Sequence, residues 1–346
     1  MPRKQRRARS KLSDVAHRAG VSAVTVSRAL RRPEMVSPQL RERIESAIKD
    51  LSYIPNRAAS ILASSRSNVI GVVVSSLTNG VFADYLRVLH DMFQPKGFQV
   101  IVLNSGYSPS EEEKAIVTLL GQHPEALILT DVDQTPYARE LLDHAGIPII
   151  QTMGLTDTPI DINIGISQHD AGALATRHLI ELGHRRIGIL AAWFDSRTRN
   201  RVAGYVDAMK EAGLYSQALM EWGPLPSTVK LGVELFAMLL ARCPDLDAVF
   251  CGNDDLALGV LFECARRGME IPGSLSVVGF NDLEFAESTH PALTTIAVPR
   301  QEMARLSAEI VLEIIRGSGA RPKTARIDLG FKLSLRDSTK QAVTST

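Results

Sequence analysis

Between residues 11 and 30 the apolar positions fall into two short runs at helical spacing, separated by a glycine. Gly20 takes a position where a residue without Cβ can turn the chain, and Ser22 can cap a second helix over residues 23–30. The buried faces are predicted to be Leu12, Val15, Ala16 and Ala19 in the first helix and Val26, Ala29 and Leu30 in the second. This pattern is typical of a helix-turn-helix, although an ordinary helical hairpin gives a similar one.

A third helix is predicted after residue 37, because Ser37 can cap it and Pro38 suits its first turn. Its apolar residues close a small three-helix core: Leu40, Ile44, Ala47, Ile48 and Leu51. Asn56 can cap a short apolar helix over residues 58–63, which a hydrophilic linker follows. A helix of this length is marginal alone in water, so it is expected to form only against a partner.

From residue 69 the chain alternates between short Val/Ile-rich runs and amphipathic stretches, which predicts an α/β body. Strands are expected at residues 69–74, 100–103, 127–130, 147–151, 162–166, 187–191, 248–251, 277–280 and 294–298. Helices are expected at residues 83–96, 111–122, 136–145, 171–182, 201–212, 229–241, 255–267 and 301–316. Apolar runs without alternation indicate buried parallel strands, and their number favours two doubly wound subdomains. Ligands of such folds lie outside the carboxyl ends of the strands.

Charge separates the two parts of the chain, although the net charge is only +1. Residues 1–66 hold 15 Lys/Arg against 5 Asp/Glu, whereas the remaining 280 residues hold 24 against 33. The outward face of the second helix gathers hydroxyl and guanidinium groups from Thr25, Ser27, Arg28, Arg31 and Arg32. A basic helical head on an acidic body predicts DNA binding by the head, with the second helix in the major groove.

Other classes of protein are disfavoured by what the sequence lacks. It has no run of about 18 apolar residues and no apolar segment after its basic start, which predicts a cytoplasmic protein without a membrane span. Cys243, Cys251 and Cys264 are scattered, which predicts reduced thiols and no metal site. No phosphate-loop, nucleophile-elbow or HExxH motif is present, and His184 and His290 are interpreted as structural. No catalytic residue and no enzyme activity are predicted.

Several motifs occur in one order along the chain: DVAHRAGVSAVTVSRAL, YIPNRAASILA, LGHRRIGIL, GNDDLALG, VVGFNDLEF and PALTTI. This ordered set resembles the lactose-repressor (LacI) family of bacterial transcription regulators from about Leu12 to Leu335. The resemblance implies a homodimer that binds a pseudo-palindromic operator, and a body like a periplasmic sugar-binding protein. Residues 336–346 contain no apolar heptad, which favours a dimer over a tetramer.

The resemblance implies a domain organisation. Residues 1–56 are expected to form the helix-turn-helix domain with its basic arm, and residues 57–67 a hinge helix and linker. Residues 68–166 with 297–328 are expected to form the N-terminal effector subdomain. Residues 167–296 with 329–338 are expected to form the C-terminal effector subdomain, followed by a tail at 339–346.

Roles in DNA binding are carried over position by position. The positions that face bases are Ala23, Val24, Ser27 and Arg28, and those near phosphates are Ser22, Thr25, Arg31 and Ser37. Asn56 is assigned to the DNA-binding set as well, and Leu62 matches the leucine that wedges into the central minor groove. A core leucine is the alternative for Leu62. Arg28 can bridge guanine O6 and N7, whereas Ala23 and Val24 can only favour thymine methyl groups.

The same resemblance predicts an effector pocket of Ser75, Phe82, Arg201, Asn253, Asn281 and Arg300. Asp254 is interpreted as a helix cap, and Arg197 and Arg199 as residues of the loop before a helix. Sugar-binding members often carry acids at the positions of Met153 and Asn281, both neutral here, while Arg300 adds a positive charge. The replacement of two acids by neutral residues, together with the added arginine, favours an anionic ligand. A solvated charge at a helix start is the alternative for Arg300.

In finer detail the chain resembles the gluconate-utilisation repressors of the family, in the segments SLTNGVF, NDDLALGVLFEC, AVPR and DLGF. The resulting hypothesis is a dimeric repressor of sugar-acid catabolism genes, with gluconate or a related acid as effector and no cofactor. A regulator that answers to a neutral sugar or to a phosphorylated or keto acid is the first alternative. A periplasmic-type solute-binding protein and a sugar-acid-processing enzyme are alternatives from other classes.

Overall fold

The structure, a computed structural model, describes residues 10–54, 66–192, 195–317, 321–322 and 324–340, and for Arg31 the backbone alone. The chain divides into two compact units between Ser67 and Asn68. The first unit is helical and the second is α/β, which confirms the predicted fold class. Within the described ranges, no helix has the length and apolar character needed to cross a membrane.

Three helices form the first unit: α1 (Leu12–Ala19), α2 (Ala23–Arg31) and α3 (Pro38–Asp50). Gly20 ends α1 at φ +65°, a left-handed conformation that glycine adopts at little cost. Ser22 caps α2, since its hydroxyl accepts the backbone N–H of Thr25 at 3.1 Å. The helices enclose one apolar core, made of Val15, Ala16, Ala19, Val26, Ala29, Val36, Ile44, Ala47 and Tyr53.

The prediction that Leu30 is buried is wrong. Val26 and Ala29 face the core, whereas the side chain of Leu30 is 40% exposed. At about 100° per residue, position 30 lies about 40° from position 26 but about 100° from position 29, which places it at the edge of the buried face. The outward surface of α2 is therefore less polar than the sequence predicts.

Two six-stranded sheets form the second unit. The first has the order β11-β5-β4-β3-β1-β2 and is parallel throughout. Its strands are β1 (Val69–Val74), β2 (Gln99–Asn104), β3 (Ala126–Leu129), β4 (Ile149–Gly154), β5 (Ile162–Ile166) and β11 (Arg326–Asp328). The second has the order β12-β10-β9-β8-β6-β7, with only β12 antiparallel to its neighbour. Its strands are β6 (Ile187–Ala192), β7 (Met220–Gly223), β8 (Ala248–Cys251), β9 (Ser276–Asn281), β10 (Thr294–Ala297) and β12 (Lys332–Ser334).

Helices cover both sheets. Beside the first sheet lie α4 (Gly80–Phe93), α5 (Pro109–Leu120), α6 (Pro136–Asp143) and α11 (Arg300–Ile315), which together with it are called the first lobe. Beside the second lie α7 (Gln168–Glu181), α8 (Ser196–Glu211), α9 (Val229–Arg242) and α10 (Asp254–Arg267), which with it form the second lobe. The chain passes between the lobes after β5, after β10 and again between β11 and β12.

All nine predicted strands are present, but β7, β11 and β12 are not predicted by the sequence analysis. These three are edge strands of three or four residues with partly exposed side chains. They lack the buried Val/Ile run that marks the inner strands. Several helices also begin earlier than predicted, among them α4, α7 and α8. The first turns of α7 and α8 are rich in polar residues, so the apolar period does not reveal them.

Candidate functional site

The outward surface of α2 presents the residues expected to meet DNA. Ala23, Val24 and Arg28 are exposed, and Val24 keeps 66% of its surface open to solvent. The Ser22 and Thr25 hydroxyls lie 2.8 Å apart at the N-terminal end of the helix, where backbone N–H groups also point outward. Ser37 is exposed beside the start of α3 and does not cap it through its side chain.

Three of the residues assigned to DNA binding lie wholly or partly outside the described ranges. Asn56 and Leu62 belong to a segment that the structure does not describe, as does the predicted helix at residues 58–63. The side chain of Arg31 is likewise outside the description, although its backbone ends α2. Their roles at the operator stay predictions.

A cleft opens in the second unit, where the carboxyl ends of both sheets meet. Four helices, α4, α7, α8 and α10, turn their N-terminal ends toward it. Its lining is Asn79, Val81, Phe82, Tyr107, Met153, Gln168, Ala192, Asp195, Arg197, Thr198, Arg201, Ser227, Asn253, Asn281 and Val298. Helix N-termini carry partial positive charge and free N–H groups, so this arrangement favours an anionic or strongly polar ligand.

Arg201 is the buried cation of the cleft, with 9% of its surface exposed. Gln168 Oε1 accepts its Nε–H at 3.1 Å and its Nη2–H at 2.6 Å, and the Gly252 carbonyl accepts from Nη1. The guanidinium carbon lies 3.6 Å from the ring centroid of Phe280. Burial lowers the pKa of Arg201 to about 9. Within the described residues no carboxylate pairs with this guanidinium, so its charge meets only neutral oxygens and an aromatic face.

Arg197 lies in the first turn of α8 and not in the preceding loop, so that prediction is wrong. It is buried, pairs with Asp195 at 2.7 Å, and donates to the Thr130 carbonyl and to the Ser75 hydroxyl. Burial opposes the charge of both partners, but each stabilises the other, which lowers the pKa of Asp195 and raises that of Arg197. Arg199 also lies in α8, so its predicted place in the preceding loop is wrong too, but its side chain is exposed and pairs with Asp133 at 2.8 Å.

The structure brings together four of the six predicted effector residues: Phe82, Arg201, Asn253 and Asn281 line the cleft. Ser75 lies behind Arg197 and does not line it. Arg300 lines a different cavity, because its guanidinium is engaged by the Asp84 carboxylate at 2.7 Å and by the Asn281 carbonyl at 2.7 Å.

The cap of α10 also differs from the prediction, because Asn253 caps the helix and Asp254 does not. The Asn253 side chain accepts the backbone N–H of Leu256 at 3.0 Å. Asp254 is fully buried, accepts from the Leu283 N–H and the Thr295 hydroxyl, and has a pKa raised to about 6 by burial. The Asn253 amide thus holds the helix start while it lines the cleft.

Several lining residues are missing from the sequence analysis, notably Asn79, Tyr107, Gln168, Asp195 and Thr198. Two of them stand at N-cap positions, Asn79 before α4 and Asp195 before α8. The rule that ligands lie beyond the carboxyl ends of parallel strands could have pointed to these caps, since a helix start follows each such strand.

A helical head with an exposed recognition surface, joined to a two-lobed α/β body with a charged cleft, defines a ligand-controlled DNA-binding regulator. Residues 11–56 match the family model described as bacterial regulatory proteins, lacI family, and residues 176–339 match the periplasmic binding protein-like domain. The transcriptional regulator GntR of Pseudomonas aeruginosa is 41% identical over 332 residues, 96% of each chain. GntR of Escherichia coli (strain K12) is 39% identical over 93% of this chain and 96% of its own.

Solved structures agree with this class. A LacI-family regulator from Silicibacter pomeroyi superposes with a TM-score of 0.89 at 33% identity, over 96% of this chain and 99% of its own. GntR from Chromobacterium violaceum gives a TM-score of 0.74 at 37% identity, over 78% of this chain and 99% of its own. The protein belongs to the lacI family of bacterial regulatory proteins and is a DNA-binding transcriptional regulator.

Proposed function

We propose that this regulator is a homodimeric repressor of sugar-acid catabolism genes, released from its operator by gluconate or a closely related acid. The observation that carries the proposal is the unneutralised charge of Arg201 inside the cleft. A buried cation without a counter-ion costs free energy, and an anionic ligand would remove that cost.

The rest of the cleft suits the polyhydroxyl chain of such an acid. Asn253 and Asn281 supply amide groups, and Asp195, although paired with Arg197, retains lone pairs that can accept from hydroxyls. Phe82 and Tyr107 supply apolar surface for the C–H groups.

The relatives support the acid over a neutral sugar. Two regulators called GntR are 41% and 39% identical, whereas CelR, solved as a cellobiose complex, is 31% identical. A neutral sugar would leave Arg201 without a counter-charge. Neutral Met153 and Asn281 in the lining also reduce the number of carboxylate acceptors that a neutral sugar would use.

The remaining roles rest on the family. The lac repressor, 27% identical with a TM-score of 0.78, is known as a dimer bound to operator. We infer a homodimer on a pseudo-palindromic operator, in the cytoplasm where the chromosome lies, with no cofactor and no catalytic step. Closure of the two lobes on the effector would alter the DNA affinity by favouring one of two states.

Calorimetric titration of the full chain tests the proposal, with gluconate, 6-phosphogluconate, 2-ketogluconate and glucose as ligands. Gluconate or one of the other acids is expected to bind, glucose to bind at least tenfold more weakly, and Arg201→Ala to lose acid binding. Arg199→Ala is the matched control, because this arginine lies on the same helix but is exposed outside the cleft. Binding of glucose alone, or acid binding that survives Arg201→Ala, would overturn the proposal.

A further inference from the structure

Two strand ends that line the cleft hold residues in left-handed backbone conformations. Met153, near the end of β4, has φ +75°, and Asn281, the last residue of β9, has φ +114°, followed by Asp282 at φ +54°. Residues with a side chain rarely adopt such angles unless the surroundings hold them there. Each of these strand ends is held by a side chain from the other lobe.

At Asn281 and Asp282 the holding side chain is Arg300 of the first lobe. Its Nη1 donates to the Asn281 carbonyl at 2.7 Å and to the Asp282 carbonyl at 3.1 Å, while Asp84 pairs with the rest of the guanidinium. At Met153 the holding side chain is Gln168, the first residue of α7 in the second lobe, whose Nε2 donates to the Met153 carbonyl at 2.9 Å.

Gln168 also accepts both hydrogen bonds of one edge of Arg201 through its Oε1. One buried amide therefore connects the cation of the cleft to the strained strand end of the opposite lobe. An amide can do both, because it carries an acceptor oxygen and a donor nitrogen on one carbon. A carboxylate would lose the donor, and an apolar side chain would lose both groups.

The helices that carry the two residues are in backbone contact, so Arg201 and Gln168 cannot move independently. A Cβ on Gly172 of α7 would collide with the Arg201 carbonyl, and a Cβ on Gly204 of α8 would collide with the His169 carbonyl. Close packing of this kind transmits displacement instead of absorbing it.

We propose that Gln168 is a positioning residue that sets both the charge preference and the response of the effector site. It orients Arg201 with a neutral acceptor, so the positive charge remains available to the ligand. When a ligand binds Arg201, Gln168 transmits the resulting displacement to Met153 in the first lobe. This inference rests on the proposed function, because it needs an anionic effector.

Two substitutions separate these roles. Gln168→Glu places a carboxylate against Arg201, so gluconate affinity is expected to fall at least tenfold. Gln168→Met keeps the volume but removes all three side-chain hydrogen bonds. Gluconate is therefore expected to bind within about tenfold of wild type, while the response of operator affinity to gluconate falls toward none. Gln122→Glu, an exposed position with the same chemical change, is the control and should match wild type in all readouts.

The measurements are calorimetric titration with gluconate, operator binding with and without gluconate, and thermal unfolding without ligand. Wild-type gluconate affinity in Gln168→Glu would overturn the inference, as would parallel losses of binding, response and melting temperature in both variants. If wild type binds no sugar acid, the proposed function fails separately. The ligand-free melting temperatures then decide on Gln168, because Gln168→Glu should melt above Gln168→Met, and the reverse order contradicts the inference.

Discussion

The guanidinium carbon of Arg201 lies 3.6 Å from the ring centroid of Phe280. An aromatic face attracts a cation but does not neutralise it, and this contact replaces water on one side of the group. With only neutral oxygens of Gln168 and Gly252 around its edge, Arg201 keeps a full charge in a buried site. The carboxylates of Asp195 and Asp254 favour this charge without forming an ion pair with it, so the guanidinium remains available to an anionic ligand.

Substitution of Arg201 should separate ligand binding from stability. Arg201→Lys keeps the charge but loses the planar fork, so effector affinity is expected to fall about 10- to 100-fold, or roughly 1.4–2.7 kcal/mol. Arg201→Met removes an unbalanced buried charge, so it should abolish binding without lowering the melting temperature. Calorimetry and thermal unfolding measure the two effects. A large drop in the melting temperature of Arg201→Met would show that the arginine is primarily structural.

Packing of α7 against α8 should be sensitive to one methyl group. Gly204→Ala would push a Cβ into the His169 carbonyl, so the helices must separate at a cost of about 1–3 kcal/mol. The displacement also moves Arg201, so effector affinity should fall together with the melting temperature. Ala203→Ser, at the exposed neighbouring position, is the control. Unchanged stability in Gly204→Ala would contradict the close contact.

Glu112 should make stability depend on pH. It is buried in α5, and burial, aided by the charge of Asp131, raises its pKa to about 7. The folded state therefore binds more protons than the unfolded state between about pH 4.5 and 7, and stability falls as the pH rises through this window. In Glu112→Gln the free energy of unfolding should no longer fall across this window, which avoids a loss of up to about 2–3 kcal/mol.

The measurement is the difference in melting temperature between wild type and Glu112→Gln from pH 5 to pH 8. The melting temperature of Glu112→Gln should increase relative to that of wild type as the pH rises. Glu111→Gln, which changes an exposed carboxylate on the same helix turn, should show no such trend. A difference that does not vary with pH would refute the assignment.

Arg28 should contribute sequence specificity at the operator. It is exposed on α2, at a position that the resemblance to the family predicts to face bases. Arg28→Ala is expected to cost about 1–3 kcal/mol of operator affinity and to relax the preference at one base pair in each half-site. Binding to variant operators measures both effects, with Arg177→Ala in the body as control. A uniform loss across all operator variants would assign Arg28 to phosphate contact instead.

Much of the fold could be predicted because buried parallel strands leave an unmistakable apolar run, as β1 and β5 do. Exposed edge strands such as β7 leave none. The helix-turn-helix was readable from Gly20 and Ser22, whose backbone roles the structure confirms. Leu30 was misplaced because periodicity in a nine-residue helix does not fix the boundary of its buried face.

The cleft could be predicted only in part. Arg201 and Asn253 follow from their motif positions, whereas Arg197 is predicted to lie in the loop before a helix. Its burial depends on Asp195 and on the Thr130 carbonyl of the opposite lobe. Arg300 failed to reach the cleft for a similar reason, since Asp84 holds it on another surface. Such long-range partners have no local signature in the sequence.

Release of operator DNA by gluconate is the most direct test of the account. The operator is a palindrome selected in vitro from random DNA by the full-length protein, and binding is followed by fluorescence anisotropy as gluconate is added. Wild type and Arg199→Ala should lose at least tenfold in operator affinity, whereas Arg201→Ala should bind the same DNA with no response to gluconate. Operator binding that no sugar acid alters, or an unchanged response in Arg201→Ala, would contradict the account.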